Sequence, residues 1–263
     1  MNRFRRFLRA LGAATRTRLS FTLQLAALVW GVIREGAQPN TWRRTTRGLF
    51  RTTLNRVVGG SLGTIAVTGI VVGLGLVFEA LYWLRTAGQE GQIGRILAVV
   101  LIREVTPLLI GIILLGRGGL AATAELGVLQ SEGEVGVLRA QGLDIFQLLV
   151  LPRAVAFAVA AFTLGVVFVM LALLSGFTTG SLAGVVNQSV FGFLDAVLRA
   201  MSLSDLVVFP LKLLLIGLVV AGACCITGLS ARQTEGPSTL MPRGFTRGIT
   251  GILAVTVGVS ALL

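Results

Sequence analysis

Histidine is absent from the 263-residue chain, and cysteine, lysine and acidic residues are scarce. The two cysteines, Cys224 and Cys225, are adjacent inside an apolar run, which excludes a disulfide framework and the spaced ligands of a zinc site. Without histidine, the commonest general acid and base is missing. The single lysine, Lys212, has no glycine-rich loop before it, so the chain lacks a P-loop for ATP. We therefore expect no catalytic residue, no metal site and no cofactor in this chain.

Composition indicates an integral membrane protein. Hydrophobic residues make up 54% of the chain, charged residues only 13%, and the mean hydropathy is +0.88. A water-soluble domain has about twice as many charged residues. A net charge of +12 is common among nucleic-acid-binding proteins, but here 12 of the 22 arginines lie before Val57 and form no groove-like patch. That bias is typical of a cytoplasmic end beside anionic lipid, so we expect no nucleic-acid partner.

The N-terminal region, residues 1–56, is predicted to form amphipathic and membrane-surface helices. Apolar residues at helical spacing among arginines indicate a first helix that lies flat on the membrane: Phe4, Phe7, Leu8 and Leu11. The next apolar run, Leu19 to Ile33, is shorter than the roughly 20 residues that a spanning helix needs, so it too is interfacial. A signal peptide is the alternative, but Arg34-Glu35 interrupts the run and no cleavage motif follows. A basic elbow then extends from Pro39 to Arg56.

Residues 57–263 are predicted to form an all-α transmembrane domain with about five spans. The candidate spans are Val57–Leu84, Gln92–Leu126, Phe146–Leu174, Leu206–Ser230 and the short Ile249–Leu263. Arginines concentrate in alternate connections, on the side of the basic N-terminus, which predicts a cytoplasmic N-terminus and a C-terminus outside. The connections that carry them contain Arg139 and Arg153, and Arg232, Arg243 and Arg247.

The second span is too long for the bilayer. About 35 residues at 1.5 Å each extend roughly 50 Å, so this helix must tilt, break or project. Pro107 and the group Gly116, Gly118 and Gly119 mark the points where a break costs least. Glycines at small-xxx-small spacing predict close helix packing elsewhere: Gly59/Gly63, Gly69/Gly73 and Gly176/Gly180/Gly184.

Charges inside apolar spans are candidate functional residues. Arg103 and Glu104 are adjacent, so on a helix they point about 100° apart and each needs another partner. An arginine in this setting suits a phosphate oxygen. The alternative, equally open from the residues, is an ion pair with Glu79 or Glu125, or a position close enough to the membrane interface for the side chain to snorkel. Glu79 closes an apolar run and precedes an interfacial Tyr-Trp pair, which is typical of a wet helix end.

Two further groups of charges lie toward the predicted cytoplasmic end. Arg117 and Glu125 are eight residues apart and project from broadly the same helix face, which favours a structural clamp to the next segment. Residues 130–143 form a short charged and apolar segment between two spans. Such a segment is a suitable docking surface for a soluble partner.

The central block carries a specific pattern. The string IREVTPLLIGIILLGRGGLAATAELGVL, from Ile102 to Leu129, is followed by Pro152-Arg153. It closely resembles the MlaE/YrbE family of ABC-transporter permeases, whose pattern is R-E-L-G-P, then A-G-R-x-G-S-A, then A-E-L-G, and finally P-R. The resemblance covers roughly residues 50 to 185. The T-E-Q of the family is here Glu132-Gly133-Glu134.

The resemblance implies a homodimeric permease in the bacterial inner membrane that moves phospholipid between the inner and outer membranes. Implied partners are a second copy of the chain, an MlaF-like ABC ATPase dimer that binds ATP and Mg, an MlaD-like MCE-domain protein and an MlaB-like STAS-domain protein. The chain itself is then no enzyme, since the partner hydrolyses ATP.

The resemblance also implies roles for particular residues. The lipid cavity is expected to be lined by Arg103, Glu104, Glu79, Leu76 and Pro107. The coupling helix near residues 130–143 is expected to meet the ATPase through Glu132, Glu134, Val135, Leu138 and Arg139. The structural clamp consists of Arg117, Glu125 and Arg153. Two other functions stay open: an ion-coupled secondary transporter or channel, and a membrane scaffold for a lipid-carrier assembly.

Overall fold

The computed structural model describes residues 21–38, 41–42, 44–88, 93–184, 189–232 and 235–261. All regular secondary structure in these ranges is helical, which confirms the predicted all-α class. The helices are α1 (residues 21–36), α2 (Arg44–Thr86), α3 (residues 93–131), α4 (Glu134–Ala140), α5 (Phe146–Leu182), α6 (Val190–Ala200), α7 (Leu203–Leu229) and α8 (Pro237–Ser260). The predicted surface helix with Phe4 and Leu11 lies outside the described residues.

Four of these helices, α2, α3, α5 and α7, are long and apolar enough to cross a membrane. They match four of the five predicted spans. At 1.5 Å per residue, the 43 residues of α2 extend about 65 Å, well beyond the roughly 30 Å of hydrocarbon. The basic stretch from Arg44 to Arg56 continues this helix, so the helix passes through the predicted boundary between surface helices and spans.

The last helix, α8, begins at Pro237 and not at Ile249, so the predicted boundary was wrong. Proline at the first helical position starts α8, because its missing N–H has no acceptor there in any case. Arg243 and Arg247 therefore belong to the helix and not to a connection. The 24 residues of α8 extend about 36 Å. Its first turn packs on Gly127 and Ser260, at its other end, contacts Glu104.

The chain alternates between two ends of the bundle, which we call the α4 end and the α6 end. The α4 end holds α4 and the α7–α8 connection, and the α6 end holds the α2–α3 connection and α6. Helix α5 packs against both α2 and α7, and α7 packs against α3 and α8. The buried residues of α5 and α7 lie around most of the helix circumference, so these two helices form the core of the bundle.

Helix α1 crosses the bundle near the α4 end. Leu25 and Leu28 lie beside Gly222 of α7, Gly31 faces the ring of Phe146, and Gly36 lies beside Val155 of α5. The described part of this helix, residues 21–36, thus packs on α5 and α7. Its placement at the membrane interface stays a prediction.

The long helix α3 stays continuous and contains two π-helical segments, Ala98–Val105 and Leu115–Gly119. The first ends just before Pro107, and the second contains the glycine group that was expected to mark a break. A π segment lets a helix absorb a proline or a close contact without breaking, and such segments are frequent at functional sites.

Close packing between α2 and α5 depends on glycine. A Cβ atom at Gly73 would collide with Ser175 and with the carbonyl oxygen of Ala172, and one at Gly176 would collide with Val77. Gly59 and Gly63 differ, because a Cβ there would meet nothing within 4 Å. The small-residue spacing therefore marks a packed contact on one part of α2 and an open face on another.

A predicted loop contains a helix that sequence reasoning missed. Helix α6 lies within the Gly180–Asp205 connection and buries Phe193 and Val197, which are four residues apart. Its N-cap is Ser189, whose Oγ accepts a hydrogen bond from the N–H of Gly192 at 3.2 Å. The apolar i,i+4 spacing and the serine cap were the signals available in the sequence.

Gly176→Ala should destabilise the protein by about 1–3 kcal/mol, because the added methyl group overpacks the α2–α5 contact at Val77. The matched control is Gly258→Ala on α8, where the added methyl group meets nothing within 4 Å. Alanine has the higher helix propensity, so this control should be neutral or slightly stabilising. Unfolding of both purified variants in detergent measures the difference. Equal stability of the two variants would contradict the proposed close contact.

Candidate functional site

Five polar side chains meet near the α6 end, inside otherwise apolar helices. We call them the Lys212 cluster: Arg103 and Glu104 of α3, Asp205 and Lys212 of α7, and Ser260 of α8. The Lys212 side chain is 1% exposed. A charge at this depth is tolerated only when other groups replace its water.

All three N–H donors of the Lys212 ammonium have acceptors. They point to the Arg103 carbonyl oxygen at 2.8 Å, Glu104 Oε2 at 3.3 Å and Ser260 Oγ at 2.9 Å. Ser260 in turn donates its hydroxyl proton to Glu104 Oε1 at 2.7 Å. The cluster thereby joins α3, α7 and α8 through one hydrogen-bonded ring, and the buried cation is compensated by a carboxylate.

Lys212 bonds to the main chain of α3 within its first π segment. The carbonyl oxygen of Arg103, inside Ala98–Val105, accepts a hydrogen bond from Lys212 Nζ at 2.8 Å. Pro107, which was predicted to line the lipid cavity, lies two residues beyond this segment and is buried in the core.

The Arg103 side chain points elsewhere. Its Nη1 lies 3.9 Å from Asp205 Oδ1, which is long for an ion pair, and it donates no hydrogen bond to any residue that the structure describes. Asp205 is already engaged, because its Oδ2 caps the start of α7 through the backbone N–H of Ser202 at 3.0 Å. Most of the guanidinium donors of Arg103 therefore lack a protein acceptor within the described part of the chain.

The crevice beside Arg103 is small. Ile102, Val208 and Phe209 close it, and its volume is about 10 Å³, enough for about one water molecule. This crevice is therefore too small to hold a phosphate group. The structure confirms neither alternative partner from the sequence: Glu79 accepts a hydrogen bond from Trp83 Nε1 at 3.0 Å, and Glu125 pairs with other arginines.

A second group of charges lies nearer the α4 end and is centred on Glu125 of α3. Its carboxylate forms ion pairs with Arg56 of α2 and, at 3.6 Å, with Arg153 of α5. Arg117 and Glu125 line one cavity of about 200 Å³. Arg117 donates a hydrogen bond to Thr64 Oγ1, so these two residues, which were predicted to project from one helix face, bind different neighbours. Together they connect α3 to α2 and α5, which is the geometry that a clamp requires.

The segment predicted to couple to an ATPase forms the short helix α4 at one end of the bundle. Gly133 precedes it with φ of +82°, a conformation that favours glycine. Val135 is buried, Leu138 is half-buried, and Glu132, Glu134 and Arg139 are exposed. Val137, which the sequence did not single out, is 57% exposed. One face of α4 thus packs on the bundle while the other is available to a partner.

The remaining predicted cavity residues do not join one site. Glu79 is exposed at the α6 end of α2, and Leu76 is half-buried against the core. The residues that sequence reasoning missed are Lys212, Asp205 and Ser260. The available signal was a single lysine inside a 27-residue apolar helix.

These features define a class. A bundle in which four helices are long and apolar enough to cross a membrane, with charged side chains inside those helices, is a multi-pass membrane protein. The family described as Permease MlaE matches residues 50–262, and the chain therefore belongs to the MlaE permease family.

Similar proteins agree with this assignment. The chain is 29% identical over 195 residues to the chloroplastic protein TRIGALACTOSYLDIACYLGLYCEROL 1 of Arabidopsis thaliana, covering 72% of this chain and 52% of that protein. It is 26% identical over 197 residues to a probable ABC transporter permease protein of Synechocystis, covering 75% and 72%. It is 28% identical over 125 residues to the intermembrane phospholipid transport system permease protein MlaE of Haemophilus influenzae, covering 48% and 46%. The chain thus spans about half the length of the first and third of these relatives.

The Lys212 cluster predicts an asymmetric pair of mutants. Glu104→Gln should destabilise the protein by about 3 kcal/mol, because it leaves the buried Lys212 cation without its counter-charge. Lys212→Met should lower the free energy of unfolding by less, since the Glu104 carboxylate that it leaves without a partner is partly exposed and water can reach it. The double variant should resemble Lys212→Met. Titration with denaturing detergent in mixed micelles gives the unfolding free energies, and equal or reversed costs would contradict this assignment.

Proposed function

We propose that this chain is the membrane-spanning subunit of an ATP-driven ABC transporter that moves phospholipid. Membership of the permease family supports the transport role, and the names of the relatives from Haemophilus and Arabidopsis point to lipid. The observation that carries the proposal is Arg103, a cation within an apolar span whose guanidinium donates to no described residue.

Arg103 is suited to a phosphate because its planar guanidinium presents several N–H donors and stays charged. Its neighbour Glu104 is neutralised by Lys212. The positive charge of Arg103 is offset only by Asp205, at 3.9 Å. The site therefore has residual positive character next to apolar helix surface, which matches the phosphate and acyl chains of one lipid.

The transport unit is proposed to contain two copies of this chain. Much of one face of α2 has no neighbour in the described structure: Gly59, Gly63, Val67, Ile70 and Leu74 are all exposed. Glycines that a Cβ would leave unhindered suit the close approach of another helix, and a cleft beside them is lined by Gly60, Thr68 and Arg117. A second α2 in this position would place the transported lipid between the two copies.

Energy is proposed to enter through α4. The exposed Val137 and the half-buried Leu138 form an apolar spot among Glu134 and Arg139, which suits a cytoplasmic ATPase. Movement of α4 would reach the bundle through the buried Val135 and through α3, whose Glu125 holds α2 and α5. The result is a shift between two conformers of the pair and no bond-making in this chain.

We assign the chain to a bacterial inner membrane, with the α4 end in the cytoplasm and the C-terminus on the other side. The partners in this arrangement are an ABC ATPase dimer that binds ATP and Mg, an MCE-domain protein on the outer side and a STAS-domain protein. The arginine-rich N-terminal region supports this orientation.

Arg103→Gln should reduce the phospholipid that co-purifies with the complex, because the phosphate loses a charge-assisted hydrogen bond. The affinity should fall about tenfold. ATP-dependent lipid transfer between reconstituted membranes should fall with it, while the subunit composition, read by native mass spectrometry, stays unchanged.

Arg199→Gln is the matched control, because Arg199 is an exposed arginine on α6 that pairs with Asp195 at 2.7 Å. It should leave lipid content and transfer as in the wild type. Equal lipid content in the Arg103 and Arg199 variants would reject the phosphate role, whereas loss of partner subunits from the Arg103 variant would make that role structural.

Val137→Asp should detach the ATPase while leaving the protein folded in the membrane, because it places a carboxylate on the apolar spot of α4. Leu138→Asp tests the same surface at a half-buried position. Leu182→Asp is the control: this residue is 90% exposed and lies at the end of α5 away from α4. Affinity purification followed by quantification of the ATPase measures the effect. An unchanged ATPase yield with Val137→Asp would exclude α4 as the docking surface.

A further inference from the structure

A large apolar cleft lies between α1 and α8, away from the Lys212 cluster and from the open face of α2. Its volume is about 960 Å³, near the upper end of the range for ligand pockets in proteins. The walls are mainly aliphatic and include Leu25 and Val29 of α1 and Ala254 and Val255 of α8. Trp30, at the edge of the cleft, is 69% exposed.

The polar part of this cleft carries two arginines from the first half of α8. Arg243 forms an ion pair with Glu235 at 2.9 Å, and that hydrogen bond, with one from the backbone N–H of Arg232, holds the pKa of the Glu235 carboxyl below its usual range. Glu235 therefore stays ionised and compensates Arg243.

Arg247 has no such compensation. Its Nη1 donates to Thr227 Oγ1 at 3.2 Å, its guanidinium lies 4.8 Å from the centre of the Phe21 ring, and no carboxylate of the described residues pairs with it. One end of an apolar cleft thus carries a cation whose charge no carboxylate of the described part of the chain offsets. This combination is complementary to a molecule with an anionic head and apolar chains.

The neighbouring N-terminal segment does not have the right charge to fill the cleft. Residues 1–20, which lead directly into α1, contain six arginines and no acidic residue. Placing them beside Arg243 and Arg247 would bring like charges together. The occupant must supply negative charge, and the anionic lipids of the surrounding leaflet do so.

We propose that the α1–α8 cleft binds one anionic phospholipid of the leaflet at the α4 end, with the phosphate on Arg247 and the acyl chains along Leu25, Val29 and Val255. This lipid is a resident component and is distinct from any transported lipid at Arg103. It fills the space that separates α1 from α8, so it stabilises the interfacial helix against the last helix of the bundle.

Trp30 provides the probe, because it lines the cleft and brominated acyl chains quench tryptophan fluorescence on contact. The full chain is reconstituted in bilayers that contain brominated phosphatidylglycerol or brominated phosphatidylcholine. Subtracting the signal of Trp30→Phe isolates Trp30 from the two other tryptophans, Trp42 and Trp83. We expect phosphatidylglycerol to bind about fivefold to tenfold more tightly than phosphatidylcholine at Trp30.

Arg247→Gln should bring that ratio to about one, and Arg247→Lys should retain most of it because the charge remains. Arg232→Gln is the control, since Arg232 is an exposed arginine of the nearby α7–α8 connection and does not line the cleft. Gel filtration and thermal unfolding of each variant show that it is folded. The preference for phosphatidylglycerol over phosphatidylcholine is also measured on the wild-type protein, so this result does not depend on whether a variant folds.

Three results would overturn the proposal. Quenching without a head-group preference would make the cleft ordinary lipid-facing surface, and absence of quenching would mean that protein, such as a second copy of the chain, fills it. A preference that survives Arg247→Gln would place the anion elsewhere. None of these results depends on transport, so they are separable from the outcome of Arg103→Gln.

Discussion

The arrangement of α3, α7 and α8 depends on one buried ammonium group. Lys212 of α7 is 1% exposed, so α3 and α8 must bring acceptors to its ammonium group in place of water. This requirement sets the rotation of α3 about its axis, because the Arg103 carbonyl and the Glu104 carboxylate must both face α7. The same rotation directs the Arg103 side chain away from Lys212 and toward Asp205. The buried ion pair thus determines how the functional candidate is presented.

The charged groups form a connected series along the length of the bundle. Helix α3 carries the Lys212 cluster near one end and Glu125 near the other, where Arg56 and Arg153 join it to α2 and α5. The two π segments of α3 lie at or beside these two regions, at Ala98–Val105 and Leu115–Gly119. A continuous helix that is bonded at both ends is what the proposed coupling through α4 requires, because a helix broken at Pro107 would not move as a unit.

Several parts of the site were predictable from residue patterns because they depend on local chemistry. The charges at Arg103, Glu104, Arg117 and Glu125 were recognised since they interrupt apolar spans, and α4 was recognised as a short charged segment between two spans. Their partners were not predictable. Arg103 was expected to meet phosphate, Glu79 or Glu125, and its described neighbour is Asp205, which is 102 positions further along the chain. Pairing over such distances depends on which helices are adjacent, and no local pattern encodes that adjacency.

The sequence by itself determined the all-α membrane class, four of the spans, the lack of a P-loop and the family pattern, because hydropathy and short motifs are properties of consecutive residues. Only the tertiary structure decided where α8 begins, that α6 is a helix, and which charges compensate one another. It also decided the role of Lys212, which in the sequence is one cation in an apolar run. The physical reason is that a buried charge acquires its partners from helices that are distant in the chain, as Lys212 does from Arg103 and Ser260.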